Sequence, residues 1–237
     1  MSIHKTTQLF SLILLSIVFS NCSSNEIGES KDVAQDKIYQ QYSVKYSEGN
    51  DKANVFAQFR FAGRNGTTLV LSKPSQLAFD DEVIKVDSSG GSGAFYVLDK
   101  PIANFYGKHH FIFTDVNNKK FDNDFSFDTV RLVNVPASAS KKQGLNLSFE
   151  AGALQPGDEI SISSSNTDSS FSFTVRHEAS DGNSILIPAK ELMRQKNSEV
   201  KLEATLSRKI NLQQNTVEGG ELMIRYILKP VTVKLVD

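Results

Sequence analysis

The sequence predicts an all-β protein in which antiparallel strands form two β-sandwiches in series. Three observations carry this prediction: apolar and polar residues alternate along most of the chain from residue 38, turn-forming residues separate the alternating runs, and only one short segment has a helical pattern. Because successive side chains of a strand point to opposite faces, this alternation is typical of half-buried strands. About fourteen such runs exceed the roughly ten strands of an ordinary open sheet, which favours two sandwiches over one.

The first residues have the pattern of an export signal. His4 and Lys5 are followed by the uncharged apolar run LFSLILLSIVF, residues 9–19. As a helix at roughly 1.5 Å per residue, this run would be about 16 Å long. A bilayer core is about 30 Å thick, so the run is too short to span it. We therefore expect a secretory signal peptide over residues 1–21.

The only cysteine of the chain, Cys22, follows this run. The stretch Val18-Phe19-Ser20-Asn21-Cys22 resembles a bacterial lipobox, where a lipoprotein signal peptide is cut and the new N-terminal cysteine is acylated; Asn21 stands where glycine or alanine is commonest. The resemblance implies a lipid anchor at Cys22, and Ser23 favours the outer membrane because it does not resemble the acidic inner-membrane retention signal. Which side of that membrane the protein faces stays open, and an ordinary signal peptide is the alternative.

Residues 22–37 are polar and acidic, and this composition predicts a flexible tether between the lipid and the fold. Alternation then begins, and turn signals at residues 48–51, 64–66, 88–93 and 117–118 divide it into strands. The apolar positions of these runs are Tyr42, Val44, Tyr46, Val55, Ala57, Phe59, Phe61, Leu69, Leu71, Leu77, Phe79, Phe95, Tyr96, Val97, Leu98, Phe111, Phe113, Phe125 and Phe127.

The second half repeats the alternation, interrupted by the turn Pro156-Gly157-Asp158 and by one possible short helix over residues 188–195. Pro230 separates the last two predicted strands. The apolar positions are Leu145, Leu147, Phe149, Ile160, Ile162, Phe171, Phe173, Val175, Ile185, Ile187, Val200, Leu202, Ala204, Leu206, Leu222, Ile224, Tyr226, Leu228, Val231, Val233 and Leu235.

Residues 134–144 (NVPASASKKQG) are small, polar and proline-bearing, which predicts a boundary between domains. We therefore expect one β-sandwich over residues 38–136 and a second over residues 137–237. About seven strands per hundred residues match a sandwich of immunoglobulin-like size. The second half resembles the immunoglobulin-like domains of bacterial cell-surface lipoproteins in strand number and spacing, and this resemblance implies a role at the cell envelope.

Charge and composition exclude several classes of function. The chain has 26 basic and 27 acidic residues, and the two predicted domains are each balanced, so no basic surface indicates nucleic-acid binding. With Cys22 lipidated, no thiol remains for a disulfide, a cysteine nucleophile or a cysteine metal site. The sequence contains no phosphate-binding or dinucleotide-binding glycine motif, and we expect no cofactor.

Two groups of residues raise the question of a metal site. His109 and His110 are adjacent, but neighbouring residues of a strand point to opposite faces and cannot readily share one ion. Four aspartates and an asparagine fall within fourteen positions, which are Asp115, Asn117, Asp122, Asp124 and Asp128. Their oxygen atoms suit calcium, although the spacing differs from an EF-hand and Lys119 and Lys120 would oppose a cation. We predict no metal site and leave calcium binding by these aspartates open.

Aromatic pairs beside loops are the candidates for ligand contact. Phe95-Tyr96 and Phe105-Tyr106 could stack on a sugar, although the chain has no tryptophan. The sequence Gly90-Gly91-Ser92-Gly93-Ala94 misses the nucleophile motif of serine hydrolases at its last position and precedes a strand instead of a helix. No catalytic residue is predicted.

Taken together, these patterns predict a lipid-anchored envelope protein with a non-catalytic binding, scaffolding or assembly role, whose partner is an envelope protein or a glycan. One alternative is a surface-fibre subunit that polymerises by strand addition, with residues 231–236 as donor. Another is a glycan-binding lipoprotein, and a less favoured one is an envelope hydrolase.

Overall fold

The computed structural model describes residues 26–89, 91–150, 154–164, 172–178 and 183–237. Within these ranges almost all regular structure is β, and the predicted all-β class is confirmed. The strands of the first half are β1 (Ile27–Glu29), β2 (Ile38–Ser47), β3 (Lys52–Phe61), β4 (Thr67–Val70), β5 (Gln76–Phe79), β6 (Glu82–Ile84), β7 (Val86–Ser89), β8 (Gly93–Pro101), β9 (Gly107–Thr114), β10 (Lys120–Phe127) and β11 (Leu132–Val133).

The second half follows the same style. Its elements are β12 (Ser138–Ser140), β13 (Leu145–Phe149), β14 (Glu159–Ser164), β15 (Thr174–Glu178), β16 (Ser184–Ile187), the helix α1 (Ala189–Met193), β17 (Glu199–Ile210), β18 (Gly220–Ile227) and β19 (Val231–Val236). The predicted short helix over residues 188–195 is confirmed as the five-residue helix α1.

Three sheets make up the described fold. The largest has the order β1-β4-β3-β2-β18-β17-β14-β15; β8 joins it through β3 and β7, and β19 joins it through β17 and β12. The two smaller sheets are β10-β9-β5-β6, which lies within the first half, and β11-β13-β16, in which β11 of the first half pairs with β13 of the second. Most ladders are antiparallel, as predicted, but β1–β4, β12–β19 and β2–β18 are parallel.

The parallel ladder between β2 and β18 joins the two halves within one sheet. Residues 40–47 of β2 lie opposite residues 220–227 of β18, a register of eight residue pairs. Gly220 permits the close approach at its start, because a Cβ there would collide with the carbonyl oxygen of Gln40. The division at residue 136 stays a prediction, but the sheet runs through both of the proposed domains.

The core is one continuous apolar cluster that includes residues from all three sheets. In the first half, aromatic rings connect the facing sheets: Tyr42 of β2 stacks on Phe111 of β9 with ring centroids 4.5 Å apart. Phe59 of β3 packs on Phe113 of β9 at 4.6 Å. The many phenylalanines of the sequence therefore pack mainly in the core between the large sheet and the sheet β10-β9-β5-β6.

The prediction of a flexible tether is wrong for residues 26–37. Strand β1 pairs in parallel with β4, and Thr68 donates both its backbone N–H and its hydroxyl to the carbonyl oxygen of Glu26. Ser30 is fully buried, and its hydroxyl oxygen accepts a hydrogen bond from the backbone N–H of Ser72 at 2.9 Å. A polar segment can complete a sheet edge because backbone hydrogen bonds do not depend on apolar side chains. Residues 22–25 lie outside the described residues.

A buried ion pair holds β17 to the turn before β14. Arg208 donates from Nε and Nη2 to the two carboxylate oxygens of Asp158, both at 2.9 Å, and both side chains are almost fully buried. Nη1 of Arg208 also lies 3.6 Å from a carboxylate oxygen of Asp128, which follows β10 in the first half. Burial opposes the charge, but the hydrogen bonds and attraction from Asp158 raise the pKa of Arg208 above its ordinary value.

We predict that Asp158→Ala lowers the free energy of unfolding by about 3–5 kcal/mol, because it leaves a buried guanidinium without its main counter-charge. Urea unfolding followed by circular dichroism measures the change. The double variant D158L/R208M should lose much less, since it leaves no unpaired buried charge. The matched control is Glu159→Gln, whose exposed carboxylate is 4.0 Å from Arg176, and we expect a change of at most about 1 kcal/mol. Equal losses for D158A and E159Q would contradict the prediction.

Candidate functional site

A tyrosine-lined recess lies where the two halves of the chain meet. We call it the seam cleft; it has a volume of about 120 Å³. Its lining comes from the ends of β2 and β18, from the residue before β9 and from the segment after β10, and comprises Tyr46, Glu48, Tyr106, Asp128, Thr129, Val130, Arg131, Tyr226 and Leu228. Because Tyr226 and Leu228 are brought beside the first half by the β2–β18 ladder, the cleft depends on the joined sheet.

Phe127 is fully buried and contacts the rings of the three tyrosines that line the cleft. The ring of Tyr226 stacks on it at 4.8 Å, that of Tyr106 lies at 5.8 Å, and that of Tyr46 meets it edge-on at 6.3 Å. Tyr226 is buried and its hydroxyl accepts a hydrogen bond from the backbone N–H of Asp128 at 3.2 Å. Only Tyr106 among these four rings has a largely accessible face, with 46% of the residue exposed.

Charged side chains of both signs line the cleft. Glu48 accepts a hydrogen bond from the backbone N–H of Lys229, and Asp128 lies close to Arg208. Arg131 adds an exposed cation. Burial raises the pKa of Tyr226 to about 12, and partial burial raises the pKa of Tyr106 above its ordinary value. At neutral pH the cleft therefore offers neutral phenols, two carboxylates and a guanidinium as hydrogen-bonding groups.

The four predicted ligand-contact residues are divided between core and surface. Tyr96 and Phe105 are 3% and 2% exposed, so their rings pack in the core, where a sugar cannot stack on them. Phe95 is half-buried and stacks on Phe56 at 5.9 Å, away from the seam cleft. Tyr106 is the member of the set that lies at a concave surface.

The aspartates considered for calcium do not form one site. Asp115 is buried and accepts hydrogen bonds from the backbone N–H groups of Asn117 and Lys119, both at 2.8 Å, so it shapes the turn between β9 and β10. Asp128 belongs to the seam cleft. Asp122 and Asp124 point to the outer face of β10, where they meet His110.

The ring of His109 is buried and held by contacts within the first half of the chain. The residue is 8% exposed, and its ring stacks on Phe105 at 4.3 Å. Nδ1 lies 2.7 Å from a carboxylate oxygen of Asp80, and Nε2 lies 2.6 Å from the carbonyl oxygen of Phe105. Both ring nitrogens are therefore engaged in contacts within the protein.

Sequence reasoning missed most of the cleft. Tyr46, Asp128 and Tyr226 are separated by up to 180 positions, and no local pattern connects them. The alternation did place Tyr46 and Tyr226 on apolar faces of their strands, but it could not indicate that these strands are neighbours. Asp128 is a possible calcium ligand by sequence, and in the structure it lines the seam cleft.

Comparison with known proteins finds distant similarity to several solved structures. The chain matches no protein-family model and no curated protein. Among solved structures, one similar chain is that of the "Crystal structure of DIP-gamma IG1+IG2". The two chains are 12% identical with a TM-score of 0.23, and the similarity covers 84% of this chain and 95% of that one. It also resembles a "tetra-tandem repeat in extending region of large adhesion protein" at 10% identity and TM-score 0.28, covering 83% of this chain and 49% of that one. These scores are too low to carry an argument about function.

None of the helices in the described part of the chain is sufficiently long and apolar to cross a membrane. The signal peptide over residues 1–21 and the lipidation site at Cys22 lie outside the described residues and stay predictions.

We predict that the free energy of unfolding falls as pH rises from about 10 to about 12. Burial raises the pKa of Tyr96 and of Tyr226 to about 12, whereas an unfolded tyrosine ionises near 10. The unfolded state therefore loses its phenol protons first, and each pH unit in this window favours unfolding. Ultraviolet phenolate absorbance should show delayed ionisation in the native protein, and Tyr226→Phe should remove one delayed group. Ionisation of all six tyrosines near pH 10 in the folded protein would contradict this.

Proposed function

We propose that this chain is a lipid-anchored, non-catalytic binding protein of the bacterial outer membrane, and that it holds a glycan in the seam cleft. The observation that carries the proposal is the exposed ring of Tyr106 beside a preformed recess of mixed charge. The other parts of the proposal, the anchor and the compartment, depend on the sequence around Cys22.

The size of the cleft favours a small rigid group. A water-sized site needs roughly 10–15 Å³, so the cleft volume of about 120 Å³ has room for roughly ten non-hydrogen atoms, which is close to one sugar ring. Drug-sized ligands need about 300 Å³ or more. One terminal sugar could therefore enter while the rest of the glycan remains outside.

The chemistry of the cleft suits a sugar as well. The open face of Tyr106 can stack on the C–H side of a sugar ring, and Glu48, Asp128 and Arg131 can bond to hydroxyl groups. The carboxylates are already oriented, Glu48 by the backbone of Lys229 and Asp128 by its position next to Arg208. Oriented polar groups lose little entropy when a ligand binds.

Several contacts support a non-catalytic role. Hydrolysis needs a free base or nucleophile, yet His109 has both ring nitrogens engaged, and the phenols of the cleft are held neutral by burial. The carboxylate of Asp128 is already engaged, since it lies 3.6 Å from Nη1 of the buried Arg208. Binding therefore accounts for the described cleft better than catalysis does.

Strand addition is the second candidate function, and the arrangement of β19 argues against it. This strand pairs on one side with β12 and on the other with β17, and Val233 and Leu235 are buried. A donor strand for another subunit would have to leave both ladders and expose these side chains. We therefore place the binding role first.

The anchor is tested by the fate of Cys22. We expect the wild-type protein, expressed in a Gram-negative host, to sediment with outer membranes and its N-terminal peptide to carry acyl chains by mass spectrometry. Each buried methylene contributes about 0.8 kcal/mol, so two or three chains hold the protein firmly. Cys22→Ser should abolish acylation and release the protein from the membrane fraction. An unmodified Cys22 in wild-type protein would overturn the proposed anchor.

The glycan is tested with an array of bacterial and animal glycans, followed by calorimetric titration of any glycan that binds. We expect binding by the wild type and at least a tenfold loss for Tyr106→Ala, because removal of an aromatic anchor commonly costs more than about 1.4 kcal/mol. Phe95→Ala is the matched control, since it removes an aromatic ring outside the cleft. Circular dichroism shows whether each variant is folded.

Two results would overturn glycan binding at the cleft. The first is an array without signal for folded wild-type protein. The second is a bound glycan whose affinity is unchanged in Y106A. A protein captured by crosslinking in native membranes, and lost in Y106A, would assign the cleft to a protein partner and refute the sugar.

A further inference from the structure

Three potential metal ligands converge on the outer face of the β9–β10 hairpin, on the side opposite its phenylalanines. We call His110, Asp122 and Asp124 the His110 cluster. One ligand atom from each residue lies within 4.8 Å of the others. Metal–ligand bonds to nitrogen and oxygen are about 2.1 Å long and the ligands of a tetrahedral ion are about 3.4 Å apart, so side-chain adjustments of roughly 1 Å would close the set around one ion.

The hairpin register brings these side chains together. His110 lies directly opposite Asp124, and Asp122 lies opposite Ile112, the next outward-facing position of β9. Opposite and diagonal neighbours on one face of an antiparallel pair have side chains within contact distance. The alternate residues Phe111, Phe113, Phe121 and Phe125 point inward and are buried, which fixes the face that the cluster occupies.

The backbone beneath the cluster is held from both sides. On its inner side, β10 pairs with β9 along its whole length. On its outer edge, the segment after β17 forms hydrogen bonds to it: Gln214 Oε1 accepts from the backbone N–H of Asp122, and Gln213 donates to the carbonyl oxygen of Asp124. The buried Asn123 exchanges hydrogen bonds with the backbone of Gln214. The two carboxylates therefore stand on a fixed support.

Two atoms of the cluster have lost water without gaining a hydrogen bond. Nε2 of His110 and Oδ1 of Asp122 are shielded from solvent and have no hydrogen-bond partner among the described residues. Leaving such an atom unsatisfied is unfavourable, because the group has lost its hydrogen bonds to water without replacing them. A cation between the imidazole and the carboxylate would satisfy both atoms at once.

A further carboxylate stands next to the imidazole. Asp81 is in the two-residue turn between β5 and β6, and its Oδ1 lies 3.6 Å from Nε2 of His110. Its neighbour Asp80 fixes the turn by accepting a hydrogen bond from the backbone N–H of His110 at 3.1 Å. The nearby Lys119 points to the ring of Phe121, with its ammonium 4.8 Å from the ring centre. The His110 cluster and Asp81 together therefore offer one imidazole and three carboxylates.

We propose that His110, Asp122 and Asp124, with Asp81 within reach as a fourth ligand, bind a first-row divalent cation of the Zn²⁺ type. Calcium prefers sites made of oxygen alone, whereas one imidazole nitrogen with carboxylates suits zinc and its neighbours. A bound ion would fasten the β5–β6 turn to β10 and neutralise carboxylates that otherwise repel one another.

The test is calorimetric titration of ZnCl₂ and, separately, CaCl₂ into the full chain carrying Cys22→Ser, so that no thiol competes for the metal. We expect one Zn²⁺ per chain, a rise in melting temperature with Zn²⁺, and weaker binding of Ca²⁺. His110→Ala and Asp124→Asn should each weaken Zn²⁺ binding at least tenfold. Asp32→Asn, which removes an exposed carboxylate from the segment 30–32, is the control and should leave binding unchanged.

Circular dichroism and the melting temperature without metal show that each variant is folded, which is expected because both substitutions are on the outer face of the hairpin. The proposal is overturned if folded wild-type protein does not bind Zn²⁺ at millimolar concentration. It is equally overturned if H110A retains wild-type affinity, or if Ca²⁺ binds as tightly as Zn²⁺.

Discussion

The parallel ladder between β2 and β18 is the constraint on which the other features depend. It places a strand from the start of the fold beside one from its end, and eight residue pairs make the two halves continuous. Ion pairs and ring contacts then accumulate along this line, including the stack of Phe127 on Tyr226 and the approach of Asp128 to Arg208. Without the ladder, Tyr226 and Leu228 would not be held beside the first-half residues that line the seam cleft.

The same ladder supports the His110 cluster at a distance. The segment between β17 and β18 lies against the first half, where Gln213 and Gln214 form hydrogen bonds to the edge of β10. Its end is fixed by Thr216, whose hydroxyl donates to the carbonyl oxygen of Ile38 at 2.6 Å. One connection therefore closes the seam and protects a strand edge that would otherwise remain unpaired.

Alternation along the chain predicted the strands well because it reports a local property, the difference between the two faces of a strand. Leu145 to Phe149 and Val200 to Leu206 lie in strands as predicted, and the predicted short helix between them is present. Strand pairing is not a local property. The pattern of apolar residues therefore predicts neither the direction of the β2–β18 ladder nor the hydrogen bonds that hold residues 26–37. For this reason the sequence predicts a flexible tether where residues 26–37 are paired and hydrogen-bonded, and it does not predict the seam cleft.

The His110 cluster shows how one turn decides a site. With a two-residue turn at Asn117-Asn118, His110 would lie opposite Phe125 and share no face with the aspartates, because a shift of one residue reverses every side chain. The actual turn has five residues: Asp115 accepts hydrogen bonds from two backbone N–H groups within it, and Asn118 takes a positive φ of 63°. His110 then lies opposite Asp124. The buried Asp115 thus acts on the candidate metal site without touching it, by fixing the register that turns three ligands to the same side.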